Sequence, residues 1–273
     1  MRVKPSFSIM QVEQTDSTNR MARALAEGGA GDGTVIVARR QTAGRGRMGR
    51  SWLSSGEFGL WFSVVFRPEF EPNLAGLLGI GAAVAVACAI DKLTGVRADL
   101  KWPNDVLIDG RKVCGVLAEA STADGGLEWA VVGVGINLHL PESGFPPELE
   151  PVATALAEHL TGPAAEAAAD RERLLEAVLD ELADRRALLD QGAVGAASLR
   201  DEAERLMRAT IGRRITVKAM SGQFEAVAVR LDEEGGLVVL KDSGESVRVT
   251  SADVSIGYGS AETAGSTEEV SDR

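Results

Sequence analysis

The sequence has little cysteine, and neither cysteine belongs to a metal-binding pattern. Only Cys88 and Cys114 occur among 273 residues, and neither has a CxxC neighbour, which argues against a zinc site. Cys88 lies in an alanine-rich apolar run and Cys114 in the strand pattern Val-Cys-Gly-Val. Both are therefore predicted to be reduced core residues, which fits a cytoplasmic protein.

Long apolar runs are also missing. No stretch of about 18 consecutive apolar residues occurs, which argues against a membrane span. The first residues, MRVKPSFSIMQVEQ, lack the apolar region of a signal peptide. Hydrophobic residues make up 45% of the chain and charged residues 25%, which is typical of a globular protein that buries a core without disulfides. We therefore expect a cytoplasmic protein without a membrane partner.

Acidic residues are abundant overall but absent from one segment. The formal net charge is −11, which argues against a general nucleic-acid partner. From Gly33 to Ser55 there is no Asp or Glu. Five arginines fall in that segment: Arg39, Arg40, Arg45, Arg47 and Arg50. A basic island in an acidic protein predicts a small anionic ligand.

Periodicity and turn residues divide the chain into a mixed part and a β-rich part. Strands are predicted over 34–38, 60–66, 100–102, 106–108, 112–119 and 128–137. Helices are predicted after the capping residues 16–19, and over 73–93, 152–160, 167–190 and 196–209. Because strands and helices do not alternate strictly, we expect an α+β fold with a mixed sheet over residues 1–210.

Four short β-rich runs follow, separated by glycine-containing turns. They cover 215–217, 226–231, 237–240 and 246–249. This spacing predicts a small barrel as a second domain, residues 211–258. The polar end, residues 259–273, is predicted to be disordered.

A glycine–arginine loop follows the strand at 34–38. Its residues Gly44-Arg45-Gly46-Arg47-Met48-Gly49 match GxGxxG, but a dinucleotide-binding fold needs a helix there, and the residues after Gly49 are poor helix formers. Glycine backbones can instead wrap an anion, and arginines donate to phosphate or carboxylate. Because the charges have no visible internal partner, we expect the loop to order around an anionic ligand. A solvated basic loop is the alternative.

Two further clusters carry polar residues at strand ends. Lys101-Trp102-Pro103-Asn104-Asp105 follows a strand, although a simple turn would explain part of it. Lys112 enters an apolar strand, where it needs a partner, either a ligand anion or Glu119. Gly133-Val134-Gly135-Ile136-Asn137 is a strand whose final amide either contacts an adenine edge or caps the strand.

Together and in this order, the clusters resemble the biotin–protein ligase family. The matching pieces are Asp16 to Asn19, Gln41 to Trp52, Lys101 to Asp105, Arg111-Lys112 with Gly115 to Glu119, and Gly133 to Asn137. The β-rich part resembles the family's SH3-like C-terminal module. The resemblance implies an α+β, mixed-sheet biotin/lipoate ligase-like catalytic domain with a small SH3-like β-barrel behind it.

The resemblance also implies the activity. It implies a ligase that uses ATP with Mg²⁺ to form biotinyl-5'-AMP, then transfers biotin to a lysine of the biotin carboxyl carrier protein of a carboxylase such as acetyl-CoA carboxylase. No protein-bound metal or tightly bound prosthetic group is implied, and the nucleophiles come from the substrates. About fifteen residues precede Asp16, so we expect no DNA-binding domain. A monomer and a homodimer both stay open.

Roles follow by position from the same resemblance. The residues implied to bind biotin are Ser17, Thr18, Asn19, Gln41, Arg45, Gly46, Arg47, Trp52, Lys112 and Gly115. Those implied to bind ATP are Arg45, Arg47, Lys101, Asn104, Lys112 and Asn137. Those implied to be catalytic are Lys112, Arg45, Arg47 and Lys101. Since every implied biotin contact precedes the β-rich part, that part is expected to serve ATP or the carrier protein.

Two rival functions remain at this point. A lipoate–protein ligase or octanoyltransferase would share the larger fold, but the Gly-Arg-Gly-Arg loop favours biotin. A biotin-sensing or nucleic-acid-binding module is disfavoured by the acidity of the chain and by the lack of a DNA-binding segment.

Overall fold

The computed structural model of the chain describes residues 6–162, 170–219, 222–250 and 253–256, which form a larger mixed sheet and a smaller antiparallel one. The strands of the larger sheet are β1 (Ser8–Thr15), β2 (Thr34–Gln41), β3 (Gly59–Phe66), β4 (Asp99–Lys101), β5 (Asp105–Ile108), β6 (Arg111–Ala123) and β7 (Gly126–Asn137). Their order is β1-β2-β3-β7-β6-β5-β4, with β1 and β2 parallel and all other neighbours antiparallel. The predicted mixed sheet is thereby confirmed.

Within the described residues, four α-helices pack on the larger sheet. They are α1 (Thr18–Glu27), α2 (Ala75–Thr94), α3 (Arg171–Leu189) and α4 (Ala193–Leu206). The helical stretch Pro72–Thr94 is long and apolar enough to cross a membrane, with a mean hydropathy of 2.1, but most of it is buried inside the protein. It contacts β6, α3 and α4, and its alanines and glycines allow that close packing. It is therefore the central core helix of the fold.

The smaller sheet has one strand more than the sequence indicates. Its strands are β8 (Arg214–Ala219), β9 (Gly222–Leu231), β10 (Leu237–Leu240), β11 (Ser246–Val249) and β12 (Asp253–Ile256). Their order is β11-β10-β9-β8-β12, and all neighbours are antiparallel. Residues 259–273, predicted to be disordered, lie outside the described residues.

Two segments differ from the sequence-based expectation. β1 was not predicted, because most of its side chains are exposed and its structure comes from backbone pairing with β2. The helix predicted over 152–160 is wrong, since that segment holds only a short 3-10 turn at Leu156–His159. Val152 and Thr154 instead bond through their backbones to Lys112 of β6, at 2.8 and 2.9 Å. This pairing depends on a residue 40 positions away, so local propensity does not reveal it.

The turn prediction at Asp109-Gly110 and the core prediction for Cys114 agree with the structure, whereas the core prediction for Cys88 holds only in part. Asp109 and Gly110 both have positive φ, 49° and 76°, as a tight hairpin between β5 and β6 requires. Cys114 is fully buried and free. Cys88 is free but only half-buried, and its sulfur lies 3.2 Å from Nη2 of Arg185.

Leu199 of α4 tests how far the helices stabilise the fold. Its side chain is fully buried and meets α2 at Gly81. We expect Leu199→Ala to lower the free energy of unfolding by about 2–5 kcal/mol, because the cavity left behind adds to the lost burial. Urea denaturation followed by circular dichroism measures this.

Val194 on the same helix provides the control, since its side chain is 76% exposed. Val194→Ala is expected to change the free energy of unfolding by no more than about 0.5 kcal/mol. Equal effects of the two substitutions would show that α4 is not packed as described.

Candidate functional site

The larger sheet carries a cavity of 790 Å³. Every site residue singled out from the sequence lines it: Ser17, Thr18, Asn19, Gln41, Arg45, Gly46, Arg47, Trp52, Lys101, Asn104, Lys112, Gly115 and Asn137. These residues come from five separate stretches of chain, which the fold brings together. Their individual roles stay predictions.

One end of the cavity is a buried, uncharged hydrogen-bonding cluster. Thr18, at the start of α1, donates from its backbone N–H and from its hydroxyl to Oε1 of Gln41, at 2.7 and 3.2 Å. The hydroxyl of Ser63 on β3 lies 2.8 Å from Oγ1 of Thr18 and 2.7 Å from Oδ1 of Asn19. Ser63 was missed in the sequence, although a lone serine in the apolar strand Gly59–Phe66 was a signal. The cluster presents polar groups without net charge.

The glycines of β6 and β7 make room for protein side chains. A Cβ at Gly133 would overlap the side-chain oxygen of Asn19. A Cβ at Gly135 would lie 2.6 Å from Nε1 of Trp52, and one at Gly115 would lie 3.0 Å from the same indole ring. Trp52 therefore lies directly on the sheet. Its buried indole N–H has no hydrogen-bond partner among the described residues.

Lys112 lies in the middle of the cavity and is paired. Its Nζ is 2.6 Å from Oδ1 of Asp105 and 5.0 Å from the ring centre of Trp52. The sequence left a ligand anion or Glu119 as the partner of Lys112. The structure pairs Lys112 with Asp105 rather than with Glu119, and a ligand anion as a further partner stays a prediction. The β5–β6 hairpin brings Lys112 and Asp105 onto adjacent strands, whereas Glu119 lies seven residues further along β6.

Glu119 has a different partner, which corrects the view of the loop. Its carboxylate accepts from Nη1 of Arg45 at 3.2 Å and from Nδ2 of Asn19 at 3.0 Å. The expectation that the empty loop leaves its charges without an internal partner is therefore wrong for Arg45. Sequence alone does not reveal a carboxylate 74 residues away. Because the pair is partly exposed, it contributes only about 0–1 kcal/mol, and a ligand anion can replace it.

The glycine–arginine loop is held by hydrogen bonds within its own backbone. The N–H of Gly46 donates to the carbonyl of Arg50 at 2.7 Å, and that of Trp52 to Gly44 at 2.9 Å. Met48 lies at the tip, 56% exposed, with a φ of 55°. The loop is thus a short hairpin with an apolar tip above the cavity.

The cavity is strongly cationic in an acidic protein. Seven basic residues line it: Arg45, Arg47, Arg50, Lys101, Arg111, Lys112 and Lys218. Among the described residues, only two acidic ones do so, Asp105 and Asp109, whereas the whole chain has a net charge of −11. Lys218 comes from β8 of the smaller sheet and was not predicted from the sequence. The arrangement suits a ligand with several negative charges.

Asn104 and Asn137, the two asparagines implied to bind ATP, each donate a hydrogen bond to the protein backbone. Nδ2 of Asn137 donates to the carbonyl of Thr154 at 3.0 Å, which ties the segment after β7 to the sheet. Nδ2 of Asn104 donates to the carbonyl of Val116 at 2.6 Å. Each side chain is therefore held in place by a hydrogen bond within the protein.

Cys114 and His159 lie beside cavity-lining residues, and each is held in a defined environment. Burial raises the pKa of the Cys114 thiol far above its ordinary value, so that group stays protonated at neutral pH. His159 is engaged by Asp109 at 3.2 Å and by Thr154 at 2.8 Å. Within residues 6–162, 170–219, 222–250 and 253–256, no cluster of three His, Cys, Asp or Glu side chains could hold a metal ion. The site is best suited to binding and orienting a polyanion beside an uncharged polar group.

Family profiles match both parts of the chain. Residues 11–137 match the biotin/lipoate A/B protein ligase family, and residues 210–257 match the biotin protein ligase C-terminal domain.

Individual proteins match over most of the chain. The biotin–acetyl-CoA-carboxylase ligase of Paracoccus denitrificans is 34% identical over 250 residues, covering 89% of this chain and 98% of that protein. The bifunctional ligase/repressor BirA of Bacillus subtilis is 34% identical over 242 residues, covering 88% and 71%. The biotin protein ligase of Aquifex aeolicus, solved with biotin and ATP, has a TM-score of 0.75 and 31% identity, covering 91% and 98%.

Gly133 provides a test of the polar cluster. Gly133→Ala is expected to lower the free energy of unfolding by about 1–3 kcal/mol, because the new methyl group must displace Asn19 from buried hydrogen bonds. Chemical denaturation measures the loss.

Gly126 on the same strand is the matched control, since a Cβ there would meet nothing closer than 3.9 Å. Gly126→Ala should leave the stability unchanged or slightly raised. If Gly133→Ala is as stable as Gly126→Ala, Asn19 does not pack on β7 as described.

Proposed function

The chain belongs to the biotin/lipoate A/B protein ligase family, and we propose that it is the ATP-dependent ligase that attaches biotin to a carrier-protein lysine of a carboxylase. The observation that carries this proposal is the division of the cavity. An uncharged hydrogen-bonding end suits the ureido ring of biotin, and a cationic end suits a carboxylate and a nucleotide phosphate. Its volume lies within the range of about 300–1,000 Å³ that is usual for small-molecule sites.

The first step joins two anions. A carboxylate oxygen of biotin attacks the α-phosphorus of ATP, a new oxygen–phosphorus bond forms, and the bond to the β-phosphate breaks and releases pyrophosphate. Asp105, 2.6 Å from Lys112, holds this lysine in the cavity. We assign the ammonium group of Lys112 to the oxygens of the biotin carboxylate and of the α-phosphate. Arg45, Arg47 and Lys101 supply further positive charge. Stabilising charge that develops in the transition state is the main catalytic contribution of such a site.

The second step uses the carrier protein. Its lysine amine attacks the carbonyl carbon of biotinyl-5'-AMP, the amide bond forms, the anhydride bond to phosphate breaks, and AMP leaves. The lysine proton passes to solvent or to the departing phosphate. Until then the adenylate must be kept from water, and we assign that task to the hairpin of Gly44 to Trp52.

Several further points belong to the same proposal. ATP enters as its magnesium complex, so Mg²⁺ arrives with the substrate. The acceptor is the biotin carboxyl carrier protein of acetyl-CoA carboxylase or a similar enzyme, in the cytoplasm, without a nucleic-acid partner. A homodimer is compatible with it but not required. We place the catalytic domain at 1–210, the second domain at 211–258 and a tail at 259–273, a division supported by the profile match at 210–257.

A single incubation tests the activity. The protein is mixed with ATP, Mg²⁺, biotin and a carrier domain, and the carrier is weighed by mass spectrometry. The expected result is a mass increase of one biotin, dependent on ATP.

Two further assays test the rival functions. Replacing biotin by lipoate or octanoate in a pyrophosphate-exchange assay distinguishes a lipoate–protein ligase or octanoyltransferase, and a mobility-shift assay with DNA distinguishes a repressor role. Exchange that depends on lipoate but not on biotin would overturn the proposal.

Lys112 is the residue whose loss should matter most to the first step. Lys112→Ala is expected to slow biotinyl-adenylate formation by about 10²–10³-fold, the usual cost of one donor to a developing charge. Biotin-dependent pyrophosphate exchange measures the rate.

Lys92, which is 64% exposed on α2 away from the cavity, is the matched control. Lys92→Ala should exchange at the wild-type rate. A folded Lys112→Ala protein with near-normal exchange would remove Lys112 from the reaction.

The hairpin of Gly44 to Trp52 should become protected from protease when ligands bind. Trypsin is expected to cut after Arg45, Arg47 or Arg50 in the free protein and to be blocked by biotin with ATP, because the adenylate anion supplies a stronger partner than Glu119. Gel electrophoresis and mass spectrometry locate the cuts.

The same view predicts a leak of adenylate. Arg45→Gly should loosen the closed hairpin, so that the adenylate escapes and biotinylates bystander lysines. Arg39→Gly, a substitution of an exposed arginine paired with Glu57 outside the cavity, is the control. Equal cleavage with and without ligands, together with unchanged selectivity in Arg45→Gly, would show that the hairpin is a static scaffold.

A further inference from the structure

The turn that carries Lys101, Asn104 and Asp105 is fastened to the smaller sheet. Trp102, in the middle of that turn, is only 2% exposed, and its indole N–H donates to the carbonyl of Gly235 at 3.0 Å. Gly235 lies 133 residues later, between β9 and β10. A buried side chain of one cavity segment is therefore bonded to the backbone of the other sheet.

The acceptor carbonyl is itself held in a fixed position. Oδ1 of Asp232 accepts from the backbone N–H groups of Glu234 and Gly236, at 2.9 and 2.8 Å. Arg248 of β11 pairs with both Asp232 and Glu234. The β9–β10 turn is thus braced on two sides, which gives Trp102 a rigid acceptor.

The same turn approaches the core helix closely. Gly235 has a φ of 86°, and a Cβ at that position would lie 3.0 Å from Leu77 and 3.0 Å from Ile80 of α2. Only glycine allows this backbone conformation at this distance without strain. The position of the carbonyl is consequently set by α2 as well as by the smaller sheet.

On its other side, the turn around Trp102 leads directly to Lys112. Asp105 pairs with Lys112 at 2.6 Å. Asn104 and Val116 exchange two hydrogen bonds, from Nδ2 of Asn104 to the carbonyl of Val116 and from the N–H of Val116 to the carbonyl of Asn104. A shift of Trp102 would therefore move groups on both sides of Lys112.

We propose that Trp102 is a positioning residue through which the smaller sheet, by way of the Gly235 carbonyl, holds Lys101, Asn104 and Asp105 in place for ATP. The proposal rests on the proposed function. It gives the second domain a defined task in adenylation, although Gly235 itself does not line the cavity. The hydrogen bonds of the uncharged cluster at Thr18, Asn19 and Gln41 do not involve Trp102 or Gly235, so the recognition of the uncharged ring of biotin is expected to be independent of this link.

Two substitutions break the link from opposite sides. Trp102→Phe keeps most of the buried ring and removes the N–H, whereas Gly235→Ala pushes the acceptor away from α2. Each is expected to lower kcat/KM for ATP in biotin-dependent pyrophosphate exchange by about tenfold, since small displacements of catalytic groups are costly. The Kd for biotin, measured by calorimetry without ATP, should stay within about twofold of wild type. If Gly235→Ala does not fold, Asp232→Ala, which removes the brace of the β9–β10 turn, takes its place with the same expected result.

Glu204→Ala is the matched control for a general loosening of the domain contact. Oε1 of Glu204 on α4 accepts from the backbone N–H of Leu231 on β9 at 2.6 Å, so this bond also joins the two parts but lies outside the cavity lining. We expect Glu204→Ala to lower the free energy of unfolding while leaving kcat/KM for ATP unchanged.

The outcomes separate the explanations. Wild-type kinetics in Trp102→Phe would overturn the proposal. A loss of kcat/KM for ATP in Trp102→Phe, without a loss in the folded variant of the β9–β10 turn, would assign Trp102 to direct ligand contact. An equal loss in Glu204→Ala would assign the effect to general loosening of the domain contact. Either result overturns the proposal. Absence of biotin-dependent exchange in the wild-type protein would instead refute the proposed function.

Discussion

Seven basic side chains share one cavity in a protein of net charge −11, and their mutual repulsion is the constraint on which the arrangement of the site depends. Carboxylates placed at different points offset part of this repulsion, and Glu158, for example, lies 3.8 Å from Arg111. Asp105 pairs with Lys112, and Glu119 pairs with Arg45. Neither pair is deeply buried, so neither holds its cation strongly against a competing anion. A competing anion can therefore replace either carboxylate at little cost in free energy.

The glycine-rich strands contribute shape rather than charge. Gly133 accepts Asn19, and Gly115 and Gly135 accept the indole of Trp52. These contacts place a polar cluster and an aromatic wall directly on β6 and β7, at distances that a side chain at those positions would prevent. Glu119 then joins the two ends of the cavity, because one carboxylate bonds both Asn19 and Arg45. The polar cluster and the glycine–arginine loop are thereby linked through a single side chain.

The smaller sheet is part of the site in two ways. Lys218 of β8 lines the cavity, and the β9–β10 turn accepts the indole N–H of Trp102. The core helix α2 lies under this contact and packs against the turn through Leu77 and Ile80. Its apolar composition reflects this central position, in which it meets the larger sheet, two helices and the second domain.

The sequence by itself determined the elements with strong local signals and singled out residues that the fold brings to one cavity. The hairpin at Asp109-Gly110, the long apolar helix and the glycine–arginine loop depend on turn chemistry, periodicity and composition, which act within a few residues. The tertiary structure alone decided which charges meet. Asp105 rather than Glu119 pairs with Lys112, and Ser63 supports Thr18 and Asn19. Residues 152–154 pair with Lys112 of β6 instead of beginning a helix. Each of these outcomes depends on groups brought together from distant positions or across a hairpin, so the relevant energies exist only once the sheet has formed.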